Sequence, residues 1–150
     1  MTDDALDVSV VEGGGDPGNQ VILDGLRAFN QSALGRDSRP VPLSVFVRDA
    51  NGAVLGGLIG HMLWDWLYVD KFWLPDSLRG AGMGSAVLAA AELHAVARGC
   101  RWSHLQTLDH QALPFYERQG YAEFGVLDGY PPGSHRHYLR KTLVPDETRA

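Results

Sequence analysis

Arg79-Gly80-Ala81-Gly82-Met83-Gly84-Ser85 decides how this chain is read. The stretch stands between an extended apolar run that ends at Pro75-Asp76 and an alanine-rich segment with helical periodicity. Closely spaced glycines let backbone N–H groups approach a ligand, and the helix start behind them offers unpaired amides and the positive end of a dipole. Arg79 adds a cation that can make a charge-assisted bond. The stretch therefore reads as an anion site suited to phosphate. A tight turn that binds nothing is the plain alternative, and the glycine density argues against it. A Walker-type loop needs a lysine before its Ser or Thr, and none is present. A dinucleotide fingerprint would use Gly80 and Gly82, with Ser85 in place of the third glycine and Asp109 as the nearest acidic residue about 20 positions on. That loop normally opens a doubly wound sheet, whereas here antiparallel strands precede it.

Upstream, Leu6, Val8 and Val10 alternate with polar residues and predict a strand over 6–11, which the run from Gly13 to Gly18 breaks. Val21, Leu23, Leu26, Phe29 and Ala33 predict an amphipathic helix over 21–33. Two apolar runs, 43–48 and 54–64, flank Asp49-Ala50-Asn51-Gly52 and predict a β-hairpin, and a short turn at Asp65 adds a third strand at 66–74. Downstream, residues 82–98 predict a buried helix with Met83, Val87, Leu88, Ala91 and Ala95 on one face and Gly99 as its cap. A strand at 102–108 would then close a parallel crossover. A short helix at 112–119 tolerates Pro114 in its first turn and ends at Gly120. Strands at 122–127 and 135–142 flank Gly129-Tyr130-Pro131-Pro132-Gly133, and residues 145–150 read as a frayed tail.

Arg79-x-x-Gly82-x-Gly84 after a strand resembles the acetyl-CoA signature of the GNAT superfamily of N-acetyltransferases. Ala112-Leu113-Pro114-Phe115-Tyr116-Glu117-Arg118-Gln119-Gly120-Tyr121 resembles that superfamily's later motif, in the expected order and about 30 residues further on. The resemblance spans residues 43–143 and implies an α/β (α+β) fold, a mixed and mostly antiparallel sheet flanked by helices. That sheet splays between the fourth strand (66–74) and the fifth (102–108), with the strand at 6–11 counted as the first. It further implies that backbone amides of Gly80, Ala81, Gly82, Met83, Gly84 and Ser85, with Arg79, cradle the coenzyme's pyrophosphate. The strand end Phe72-Trp73-Leu74 would pair with the pantetheine arm, and Ala112, Phe115 and Tyr116 would lie along it. Asp109 holds the place where many family members carry an asparagine, at a contact with the pantetheine arm, and so belongs to the implied coenzyme-binding set.

The resemblance makes Tyr116 the proton donor to the leaving thiolate, a role a phenol with an ordinary pKa of about 10 can fill. The plain alternative is that Tyr116 packs beside Phe115. Asp70 lies where many members carry an acidic residue, and strand alternation puts Tyr68, Asp70 and Phe72 on one face. Asp70 would meet the incoming amine, or else pair with Lys71 or an arginine. Cys100 reads as a packed residue past a helix end rather than a nucleophile, so transfer would be direct. His135 and His137 share a strand face, but no third metal ligand is near in sequence, and no metal is expected. Trp64, Trp66, Tyr68, Phe72 and Trp73 read as core or as pocket lining.

One domain over residues 1–150 is the expectation from the length and from 45% hydrophobic content. Thirteen Lys and Arg against eighteen Asp and Glu give a net charge of −5, which offers no general attraction for nucleic acid or an anionic membrane and mildly favours a cationic acceptor. A single cysteine, no readable leader in Met1 to Asp7 and no apolar run of membrane length point to a cytoplasmic protein. The expected activity is direct transfer of an acetyl group from acetyl-CoA to a primary amine in a ternary complex. The acceptor is a small-molecule or peptide amine, and the resemblance also brings a homodimer into view. The competing reading is a non-catalytic acyl-CoA sensor.

Overall fold

A computed structural model describes residues 5–109 and 112–146, and the frayed tail read at the C-terminus falls largely outside them. The chain divides into two compact units, one ending at Arg39 and one starting at Pro40. In the first, residues 6–11 pair with nothing in the sheet, so the expected strand is not formed. Alternation specifies which face a strand would bury, but it supplies no partner edge. Helix α1 (Gly18–Leu34) begins before the expected residue 21, where the Asp16 carboxylate accepts the Gly18 N–H at 2.7 Å. It ends at Gly35, whose left-handed φ of 66° turns its N–H back to Gln31.

The second unit is built on a sheet of β1 (Val41–Arg48), β2 (Val54–Leu63), β3 (Trp66–Trp73), β4 (Trp102–Leu108), β5 (Ala122–Asp128) and β6 (His135–Thr142), in the order β1-β2-β3-β4-β6-β5. Helix α2 (Met83–Ala97) joins β3 to β4, and α3 (Leu113–Arg118) follows β4. Strands β1 to β3 form the antiparallel meander, β3 and β4 are parallel, and the remaining pairs are antiparallel. This is the mixed, mostly antiparallel sheet flanked by helices that the sequence predicts. The α2 face Val87, Leu88, Ala91 and Ala95 is buried against Leu58, Leu67, Val69, Leu105 and Leu139, as its periodicity requires. Each fully buried leucine here contributes about 1.5–3 kcal/mol.

One irregularity shapes everything near the site. Ile59 faces Lys71 and Gly60 faces Val69, so Asp70 is an extra residue with no partner on β2. A bulge of this kind reverses the alternation beyond it. Leu67 and Val69 face the core before it, and after it Phe72 does so, its ring 6.1 Å from that of Phe115. Tyr68 lies on the other face, stacked at 4.7 Å on His104. The expectation that Tyr68, Asp70 and Phe72 share a face therefore fails at the bulge.

Gly60 accommodates it, because a Cβ there would sit 2.1 Å from the Tyr68 carbonyl oxygen. Gly125, by contrast, has open space around its missing Cβ. Gly60→Ala should lose about 1–3 kcal/mol in urea denaturation, while Gly125→Ala stays within about 0.5 kcal/mol of the parent. Equal stability of the two variants would contradict the bulge.

Candidate active site

The β3–β4 ladder runs only from Trp66↔Trp102 to Val69↔Leu105. Beyond it the strands diverge, and Asp70 to Trp73 present their β4-side backbone to a cleft of about 930 Å³. The splay expected between these two strands is therefore present. Phe72, Trp73 and Leu74 form one wall, the glycine loop and the start of α2 close one end, and Ala112, Phe115 and Tyr116 form the opposite wall.

The loop is shaped for close approach of a ligand. Gly80 and Gly82 adopt φ of 82° and 79°, which side chains disfavour. Gly82 is the N-cap of α2, no side chain caps the helix, and its first turn carries no acid. The first intrahelical bond runs from Ala86 N to Gly82 O, so the amides ahead of it keep their donors and their dipole for a ligand. Arg79 is held at the rim by the Leu74 carbonyl at 2.9 Å and by Asp76 at 3.0 Å. Gly84 faces Phe115 where α2 and α3 meet, and a Cβ there would lie 3.4 Å from the ring, an ordinary contact. Ser85 Oγ accepts a 2.9 Å bond from Gln119, a second tie between the two helices. Gly80, Gly82, Gly84 and Ser85 line the cleft with Arg79; Ala81 and Met83 stand beside it in the loop.

Tyr116 sits on α3 with its body in the core. Gly120, at φ 95°, lets the chain turn so that Tyr121 N–H reaches the Tyr116 carbonyl, and Tyr121 Oη is bonded to buried Ser103 at 2.8 Å. These contacts fix the helix end. Burial pushes the Tyr116 phenol up to about 12. Its hydroxyl has no hydrogen-bond partner among the described residues. It is thus a protonated donor in the cleft wall.

Asp70 borders both this cleft and a smaller pocket of about 180 Å³ with Tyr68, Lys71, Gln106 and Arg136. Its Oδ1 takes a 2.9 Å bond from Lys71, the pairing that the plain alternative predicts. Asp109 is not among the residues lining either pocket. Its carboxylate accepts from Ser134 Oγ at 3.0 Å, His135 N at 2.8 Å and the rings of His135 and His137. His137 and then His135 hold the Asp109 carboxyl far below the usual range. Its side chain is therefore turned to β6, away from the position expected for a coenzyme contact. The rings of both histidines meet carboxylates: Asp109 bonds His135, and Asp109 and Glu123 flank His137 and raise its pKa.

Residues 22–121 match the model of the acetyltransferase (GNAT) family. The chain belongs to that family. It is 39% identical over 120 residues to a blasticidin-S acetyltransferase of Streptomyces morookaense, covering 79% of this chain and 88% of the relative. The crystal structure of an acetyltransferase from Bacillus cereus superposes with a TM-score of 0.78 at 30% identity, over 89% of this chain and 97% of the other. An aminoglycoside 6'-N-acetyltransferase complexed with coenzyme A shares the fold at a TM-score of 0.62 and 18% identity, over 89% and 97%.

This GNAT enzyme is an acyltransferase, and no helix among its described residues is long and apolar enough to cross a membrane. Cys100 is buried and its thiol pushed up by that burial, and it does not line the cleft. Residues that the sequence left unmarked also line the site: Gln106 and Arg118 at the cleft, and Arg136 at the smaller pocket. The β4 alternation could have found Gln106; nothing local marks Arg136. Arg79→Ala should weaken acetyl-CoA binding about 10-fold by titration calorimetry, and Gly82→Glu should abolish it in a protein that still folds. Unchanged affinity in both would remove the loop from the coenzyme site.

Proposed function

We propose that this enzyme transfers the acetyl group of acetyl-CoA directly to a primary amine of a small molecule, with both substrates bound together. The observation that carries this reading is the cleft itself. It opens through the sheet where β3 leaves β4, with uncapped helix amides at one end and the Tyr116 phenol in its wall. The amides of α2 would take the pyrophosphate, and the freed β3 backbone around Phe72 to Leu74 would pair with the pantetheine arm. The blasticidin-S acetyltransferase relative makes blasticidin S the first acceptor to test. A sensor without catalysis would have no use for a protonated phenol in the cleft wall.

In the reaction, the amine nitrogen bonds to the acetyl carbonyl carbon, the C–S bond breaks, and the thiolate leaves with the electron pair. The proton lost by the amine balances the one the thiolate finally gains. Tyr116 at about 12 is a weaker acid than a thiol near 8.5 by roughly 3.5 pKa units. Full proton transfer from it is uphill, so Tyr116 stabilises the developing thiolate by donating a hydrogen bond. An ammonium with a pKa of about 10.4 is deprotonated at pH 7 only about once in 2500, a deficit of roughly 4.6 kcal/mol. Asp70 would bind that ammonium or relay its proton through water. Its Oδ2 has no partner among the described residues.

Thiol release with blasticidin S and an amine panel tests the activity, and release no faster than hydrolysis with every amine would contradict it. Tyr116→Phe should lower kcat about 10- to 1000-fold with little change in acetyl-CoA affinity. Because burial raises the phenol, its proton is retained as pH climbs, so wild-type kcat should show no loss from Tyr116 ionisation through pH 10. A basic limb near pH 10 that disappears in Tyr116→Phe would contradict the buried, protonated donor. Asp70→Asn should depress kcat/KM most near neutral pH and recover toward the amine's pKa; an equal loss at every pH would assign Asp70 to ammonium binding alone.

A further inference from the structure

The smaller pocket lies on the far face of the sheet from the core. Tyr68, Gln106 and Arg136 alternate there with the buried Leu67, Leu105 and Leu139 of the same strands. It shares Asp70, Lys71, Gln106 and Thr107 with the large cleft, so a molecule in it reaches the opening where the acetyl group would arrive. Its charges contrast with those of the chain. Asp70 and Lys71 offset one another, which leaves the Arg136 guanidinium as the uncompensated charge.

Arg136 is held ready for a ligand. Its guanidinium lies 3.5 Å over the Tyr130 ring, and Nη1 donates to Gln106 Oε1 at 3.0 Å. Gln106 Nε2 is turned toward the Tyr68 hydroxyl at 3.4 Å, which fixes the amide so that its oxygen faces the arginine. No carboxylate pairs with Arg136 among the described residues, and its buried Nε has no acceptor. Arg79 at the rim of the large cleft, by contrast, pairs with Asp76. A positioned guanidinium with donors to spare and no internal anion is a ready partner for an external one. The planar fork matches a carboxylate in two parallel bonds, and about 180 Å³ is room for a small organic group.

We propose that the acceptor is a small primary amine that also bears a carboxylate, and that Arg136 binds this carboxylate in the smaller pocket. This rests on the amine-acetylation reading and deepens it. The amine then extends past Gln106 and Thr107 toward the cleft, with Asp70 near its nitrogen. Lys71, kept protonated by the bond it donates to Asp70, and Arg136 together disfavour a second ammonium group in the pocket. Polyamines are therefore poor acceptors, against the expectation from net charge alone.

Four acceptor series of matched chain length decide the matter: ω-aminocarboxylates, the corresponding carboxamides, α,ω-diamines and ω-aminoalkyl phosphates. The carboxylate should exceed its carboxamide in kcat/KM by on the order of 10- to 100-fold, the range a charge-assisted bond supplies. Arg136→Gln should bring that ratio close to one, and Arg136→Lys should restore part of it, with acetyl-CoA affinity unchanged in both. A ratio near one in the wild type, a preference for the diamine or the phosphate, or a ratio untouched by Arg136→Gln would each overturn the proposal. If acetyl-CoA binds but no amine is turned over, the acetylation reading fails separately. Calorimetry of an ω-aminocarboxylate into the coenzyme-bound protein then still decides the anion site. Saturable binding lost in Arg136→Gln supports it, and binding that is absent or insensitive to the variant overturns it.

Discussion

The site depends on the early end of the β3–β4 ladder. Past Val69 and Leu105 the two parallel strands stop pairing, and the backbone of Asp70 to Trp73 is left without a neighbour on that side. Unpaired strand amides inside a domain are costly unless something meets them, which is why such a gap points to a ligand. The bulge at Asp70 bends β3 away, and Gly60 is the residue on β2 that lets the displaced strand come close. A local irregularity thus creates the cleft, turns Phe72 into the core and leaves Asp70 at the boundary of both pockets.

The two ends of the cleft are polarised by opposite means. At α2, donors are available because nothing caps them: the N-cap is a glycine and the first turn lacks an acid. At α3, a donor is available because burial holds the proton on Tyr116 while the Tyr121–Ser103 bond and the Gly120 turn hold the helix end. Gly84 under Phe115 and the Ser85–Gln119 bond tie the two helices together, so both ends are set by one packing arrangement.

What could be read from the sequence was what local patterns encode. The 3.6-residue stripe Val87, Leu88, Ala91, Ala95 and the run Arg79 to Ser85 specify a buried helix with an open N-terminus, and the structure has both. Tyr116 reaches the cleft wall as its motif implies. The failures come where a distant segment decides the outcome. Residues 6–11 alternate like a strand yet form none. Alternation through Asp70 breaks because the bulge is defined by β2, and Asp109 turns to histidines that lie 26 to 28 positions further along the chain. Arg136 joins Gln106 only through the β4–β6 register, 30 positions apart, and no short-range signal carries that.

The central claim is that acetyl-CoA lies in the gap between β3 and β4 with its phosphates on the start of α2. Titration of uniformly 15N-labelled protein with acetyl-CoA, followed through backbone amide shifts, tests it most directly. The account predicts that the largest changes fall on Gly82 to Ser85 and on Lys71 to Trp73, saturating together at one affinity. Saturable binding that leaves both segments unmoved and shifts amides elsewhere in the chain would contradict it.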